Sequence, residues 1–205
     1  MKVLVACEES QEVCKAFRAK GHEAFSCDVV PCSGGYPEWH ILDDAVNAIY
    51  SNNWDLVIAH PPCTYLCKAS ARFMFHPSGV LDNKRYVQAM KARKFFMDIL
   101  NSPCEKICIE NPTPLRVVGL PKESQVIQPY MFGDPYSKRT LLWLKNLPIL
   151  EPTNICESFT PYCPSNTSAH SRGGGGSIGI EPFTDSRKRS KTFPGIAAAM
   201  ANQWG

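Results

Sequence analysis

Short unbroken apolar runs alternate with stretches of helical spacing along this chain, and that alternation restricts the fold more than any other feature. KVLVA (2–6), HEAFSCDVV (22–30, ending as a strand near Asp28), WDLVIAH (54–60) and EKICIEN (105–111) are apolar without a polar face. Such strands suit a sheet covered on both sides, which is the usual setting of parallel strands. Between them, SQEVCKAFRAKG starts at Ser10 with Val13 and Phe17 on one side and Gly21 as its stop, DDAVNAIYSN (43–52) reads as a short helix, and NKRYVQAMKARKFFMDILN carries Val87, Met90, Lys91, Phe95 and Ile99 at helical spacing. RTLLWLKNL (139–147) adds a strand, and PGIAAAMANQWG closes the chain as a helix with Pro194 in its first turn. Strand, helix, strand in repetition predicts an α/β fold with a mostly parallel sheet.

The 205 residues suffice for one domain with a substantial core, and the net charge of +3 is compatible with a polyanionic partner without the strongly basic stripe of a dedicated nucleic-acid binder. Ten cysteines lie scattered in apolar segments, as free thiols do in a reducing compartment, so a cytoplasmic protein is expected. Cys7, Cys14, Cys27, Cys104 and Cys108 are read as packing residues. No apolar run approaches the ~18 residues of a membrane span, and no membrane partner is expected.

In an open parallel sheet, ligands collect beyond the carboxyl ends of the strands. Four strand ends then matter: CEES, CDVVP, HPPC and ENP. In HPPC, Pro61 and Pro62 fix the backbone on the approach to Cys63, a rigid mount for a nucleophile.

The order PPC (61–63), EN (110–111), SKRT (137–140) and FPGIAAAMA resembles the motif series of cytosine-C5 DNA methyltransferases, and a short phage-type branch in particular. The resemblance spans residues 1–150 and resumes from about 187. It implies a Rossmann-like, S-adenosylmethionine-dependent methyltransferase fold, DNA as partner, and a host-cell cytoplasm if the gene is phage-borne. It further implies that the Cys63 thiolate adds to C6 of cytosine, that Glu110 relieves the charge developing at N3, and that Asn111 fixes the loop, with no metal required. The base has first to leave any duplex. The GDPYSKRTLLWL segment resembles an arginine-bearing motif of the family. One alignment places Lys138 on its first arginine, and a one-residue slip brings in Arg139, which is the residue taken here as catalytic, with Lys138 assigned to nucleic-acid contact.

The cofactor loop departs from the family pattern, with Val5, Cys7 and Glu9 where an aromatic and two glycines are usual. Expected cofactor contacts are Val5, Ala6, Cys7, Glu8, Glu9, Asp28, Val29, Asp44, His60 and Pro61. Glu8 and Glu9 either attract the methionine ammonium or form the acidic first turn of the next helix. Asp28 fits a ribose contact, and Asp44 an adenine contact or a helix cap, with Asp43 as its competitor.

Residues 151–191, rich in Ser, Pro, Gly and Arg, form an irregular insertion within a single domain spanning 1–205, standing where full-length relatives carry a large recognition domain. Arg172, Arg187, Lys188 and Arg189, with Lys191, suggest a basic arm for a phosphate backbone. The spacing of Cys156, Cys163 and His170 matches no common zinc arrangement. The short insertion leaves three readings: a DNA enzyme that reads sequence weakly or through a protein partner, the same chemistry on a nucleotide or other nucleic acid, or a silent nucleic-acid binder.

Overall fold

Strand β1 (Lys2–Ala6) turns Val3 and Val5 to one side and Leu4 and Ala6 to the other, all fully buried, so both faces of its sheet need cover. The computed structural model describes residues 1–162 and 190–205. One face packs against α1 (Glu12–Ala19) and α5 (Pro194–Trp204), where Val13, Phe17, Ile196, Met200 and Trp204 close over Val5 and Ile58. The other packs against α2 (Ala45–Tyr50), the single turn α3 (Ala71–Met74) and α4 (Asn83–Leu100), which place Ile49, Met74, Phe96 and Ile99 over Leu4, Val57 and Ile107.

The remaining strands are β2 (Glu23–Asp28), β3 (His40–Leu42), β4 (Leu56–Ala59), β5 (Lys106–Asn111), β6 (Gln125–Ile127) and β8 (Thr140–Lys145). Their order is β3-β2-β1-β4-β5-β8-β6, with β1 to β5 parallel and β8 antiparallel to both neighbours. This is the Rossmann-like order with one reversed strand set between the fifth and sixth. Because β8 runs backwards, its first residues, not its last, meet the carboxyl end of β5, and Asn111 pairs with Leu141. A two-stranded ribbon of β7 (Tyr136–Ser137) and β9 (Thr160–Pro161) lies apart.

The structure amends the sequence reading in places. WDLVIAH is the fourth strand, because the three-residue β3 precedes it. Helix α1 starts at Glu12, after Gln11 at φ 60°. On α4 the inward face is Ala89, Phe96 and Ile99, while Val87 is half exposed and no core residue. The first residues of the expected insertion are ordered against the body: β9 pairs with β7, and the side-chain amide of Gln203 bonds both the N–H and the carbonyl of Glu151. Arg172, Arg187, Lys188, Arg189, Cys163 and His170 lie outside the described residues. Among the described residues no helix is long and apolar enough to cross a membrane, and no group of three metal-ligating side chains occurs.

Candidate functional site

The carboxyl ends of β1, β2, β4 and β5 and the start of β8 converge on one edge of the sheet, and their side chains fall on two sides of it. On the α2/α4 side lies a cavity of about 300 Å3 bordered by Cys7, Asp28, Val29, Asp44, Pro62 and Phe95, with Ala45, Tyr65 and Ala92. Four expected cofactor residues, Cys7, Asp28, Val29 and Asp44, thus meet around one space, with Pro62 of the cysteine loop as a further wall. Asp44 caps α2 through Oδ1, which accepts the N–H of Val46 at 2.8 Å, and Asp28 accepts the Val30 N–H through Oδ1 at 3.2 Å. The Oδ2 atom of each has no hydrogen bond among the described residues, leaving it to a ligand donor. Asp43 does not border the cavity; its Oδ1 accepts the Asp44 N–H and the Asn47 amide.

Cys7 takes φ +58°, in the left-handed region that favours glycine. The chain therefore keeps the backbone bend of a glycine loop while carrying a side chain, and that side chain faces the cavity. Burial, with Asp28 nearby, pushes the Cys7 thiol far up, so it serves as an apolar wall.

Other expected cofactor residues stand elsewhere. Val5 is packed under α1 and α5, Ala6 in the opposite core, and Pro61 is buried. Glu8 is 4% exposed, and its two carboxylate oxygens accept the N–H groups of Val13 and Cys14 at 2.6 and 3.2 Å, so it closes the start of α1. That corrects the idea of a free carboxylate for a ligand ammonium, since the N-terminus of α1 already claims both oxygens. Burial pushes Glu8 up to about 7 against the lowering pull of His60 and the two N–H groups. The Glu9 carbonyl accepts the Ser33 N–H at 2.7 Å.

On the α1 side, Ala59 pairs with Ile109, so the residues that follow, His60 and Glu110, end adjacent strands side by side. His60 Nδ1 lies 2.8 Å from Glu110 Oε2. Desolvation opposes charge on both groups; nevertheless Glu110 is held below the usual carboxylate range by His60, with Lys138 helping, and His60 is raised above its ordinary value by Glu110 and Glu8. His60 is therefore a partner of the catalytic candidate and not a wall of the cavity, a role its sequence position alone did not reveal.

Asn111 is buried and donates from Nδ2 to the Pro61 carbonyl at 2.7 Å, tying β5 to the proline loop. Beyond the prolines, the Cys63 carbonyl accepts the N–H of Leu66 and of Cys67, each at 3.0 Å, so the chain turns tightly and leaves Cys63 partly accessible. Cys67, 5% exposed, begins a single 3-10 turn (Lys68–Ser70). The Cys63 thiol, aided by the Ala69 and Ser70 N–H groups, lowers the pKa of Cys67, and the same interaction, with burial, raises that of Cys63. Of the two, Cys67 gives up its proton the more readily. Sequence reading passed over Cys67; the C-x3-C spacing is the signal that was available.

Lys138 and Arg139 part company. Arg139 is exposed and only 3.9 Å from Glu123, whereas Lys138 acts on both His60 and Glu110 and sits 5.7 and 5.6 Å from the Tyr162 and Phe193 ring centres. The structure thus places Lys138 at the site and turns Arg139 away, as adjacent residues at a strand start must diverge.

Sheet order and crevice together define a Rossmann-like α/β fold with a mostly parallel sheet. No protein-family model matches the sequence, and no curated protein matches it. Among solved structures, the chain is similar to a protein named as a DNA modification methyltransferase encoded within a prophage of Escherichia coli (12% identity, TM-score 0.47, 76% of this chain and 52% of that one). It is similar also to the Entamoeba histolytica methyltransferase EhMeth (13%, 0.46, 76% and 57%) and to an Escherichia coli rRNA methylase (15%, 0.38, 71% and 57%). The chain spans little more than half the length of each, and overlaps this partial assign no role to any of its residues.

Proposed function

We propose that the chain is a DNA cytosine-C5 methyltransferase with Cys63 as nucleophile, Glu110 as the group that answers charge at N3, and Asn111 as the tie that keeps their loops in register. The observation that carries this reading is the convergence of Cys63, Glu110 and Asn111 at two adjacent strand ends, joined by the Asn111–Pro61 bond. Cys63 is the more accessible of the paired thiols, and Cys67, next to it, takes its proton as the S–C6 bond forms, the bond and not the basicity of Cys67 driving the transfer. The S–C6 bond forms, the ring's C5=C6 electrons move toward C4 and N3, and Glu110 meets the charge at N3. The positive charge of Lys138 helps to hold this carboxylate ionised.

S-adenosylmethionine, when bound, supplies the methyl group. Its adenosine fits the cavity on the α2/α4 side, with Val29 and Phe95 as apolar walls and Asp28 and Asp44 as acceptors for hydroxyl and amino groups. DNA is supported as partner by a described surface beside the cysteine loop. Residues 64–97 hold seven Lys and Arg against one Asp, and Phe73 is 53% exposed with the Arg72 and Arg85 guanidinium groups 4.6 and 5.5 Å from its ring. Exposed aromatic rings flanked by Arg suit an unstacked base and its phosphates. In this reading, residues 1–205 act as one catalytic unit, with 151–191 in place of a large recognition domain.

Incubating the protein with DNA and methyl-labelled S-adenosylmethionine, then digesting to nucleosides, tests the reading. Label in 5-methylcytosine is expected. Label on an exocyclic amino group of adenine or cytosine would overturn it, and label on free cytosine nucleotide alone would move the substrate away from DNA.

A further inference from the structure

Resting on that cytosine reading, we propose that His60 is a positioning residue for the reaction: it orients the Glu110 carboxylate and stores the proton that N3 takes up when Cys63 adds to the ring. The register Ala59–Ile109 forces His60 and Glu110 into contact, at 2.8 Å through Nδ1. The other ring nitrogen, Nε2, is buried and has no hydrogen-bond partner among the described residues. A histidine kept only for packing would have both nitrogens satisfied, since buried polar atoms nearly always are. Here one nitrogen is committed to the carboxylate and nothing pins the other, so the ring can gain or lose a proton without breaking a second bond.

The charged groups that bear on His60 come from three elements. Glu110 ends β5, Glu8 follows β1, and Lys138 precedes β8. Glu8 and Glu110 favour the imidazolium and Lys138 opposes it, and the balance keeps the ring protonated above its ordinary range. An ionised Glu110 alone has no proton to give. Together with imidazolium it does: the pair exchanges between imidazolium–carboxylate and imidazole–carboxylic acid, and only the second form donates toward a base.

The proton balance closes over the cycle. Before addition, Cys63 is a thiol, Cys67 a thiolate, His60 an imidazolium and Glu110 a carboxylate. Afterwards the S–C6 bond exists, Cys67 is a thiol, N3 carries a proton, His60 is neutral and Glu110 is again a carboxylate. Net charge is unchanged. After the methyl group has bonded to C5, the C5 proton is lost to solvent as the S–C6 bond breaks and the C5=C6 bond re-forms; the departing Cys63 thiolate regains its proton from Cys67, and the N3 proton returns through Glu110 to His60.

The test is the pH dependence of covalent capture of DNA containing 5-fluorocytosine, with S-adenosylmethionine present, for wild type and His60→Asn. Asparagine keeps a donor for Glu110 but does not titrate. Wild type is expected to lose its capture rate about tenfold per pH unit above the His60 titration. In His60→Asn that limb should leave the neutral range, with the rate at pH 7 reduced roughly a hundredfold, within the usual range for a proton-transfer group, and cofactor affinity unchanged. Identical alkaline limbs in the two proteins would overturn the inference and leave the cytosine chemistry standing. No capture by wild type at any pH would overturn both.

NMR of ring-labelled wild type, which has only five histidines, serves if the variant does not fold. A histidine still protonated above neutrality, whose titration drops in Glu110→Gln, is expected; five histidines titrating in the ordinary range would overturn the inference.

Discussion

Glu8 is the residue whose burial has the most measurable consequence. Its carboxyl titrates near 7 in the folded protein and in the ordinary carboxylate range when unfolded, so folding takes up a proton between those values. Its contribution to stability is therefore complete below the unfolded pKa and is lost as pH rises through about 7. Glu8→Gln keeps an oxygen for the Val13 N–H and removes the titration. Thermal melts should show wild-type stability falling between pH 5 and 8 by on the order of 3 kcal/mol more than the variant's. Parallel curves would mean that Glu8 is solvated. That Cys63, Glu110 and Asn111 stand at or just beyond strand ends was legible in the sequence, while the roles expected of them rest on the family resemblance. The partnership of His60 with Glu110 was not legible, because it depends on a register fifty residues apart in the chain.

At the scale of elements, the segment from Cys63 through α4 is the surface that the proposed function assigns to nucleic acid. Arg85 donates from Nη2 to the Thr64 carbonyl at 2.9 Å and lies over Tyr65 at 4.2 Å, so the basic surface is braced against the cysteine loop. Phe73→Ala should weaken binding of single-stranded DNA about tenfold, in line with the 1–3 kcal/mol measured for one stacked base, with little change in salt dependence. Arg72→Ala should instead reduce the salt slope by about one ion. Fluorescence anisotropy over a salt series separates these, and an unchanged affinity in both variants would remove this surface from DNA contact. The five long strands and the longest helix could be read from apolar runs and helical spacing. The reversal of β8 could not, because a strand buried on both faces has the same composition in either direction, and β3 is too short to carry a pattern.

For the whole molecule, the sheet serves as a divider. The cavity residues lie on the α2/α4 side, Cys7 through its left-handed backbone and not through alternation, whereas alternation along β4 and β5 sends the His60–Glu110 pair to the α1 side, with the proline loop following β4. The alternation of apolar runs with stretches of helical spacing foretold this α/β architecture. Which of two neighbours, Lys138 or Arg139, faces the site was a matter of side-chain alternation that only the observed start of β8 decides. The account depends most on Cys63, and its most direct measurement is intact and peptide mass spectrometry of the protein after incubation with S-adenosylmethionine and DNA containing 5-fluorocytosine. A one-to-one adduct mapped to Cys63, absent in Cys63→Ser and slowed in Cys67→Ser, is the expected result; an adduct mapped to Cys67, or one that persists in Cys63→Ser, would contradict the account.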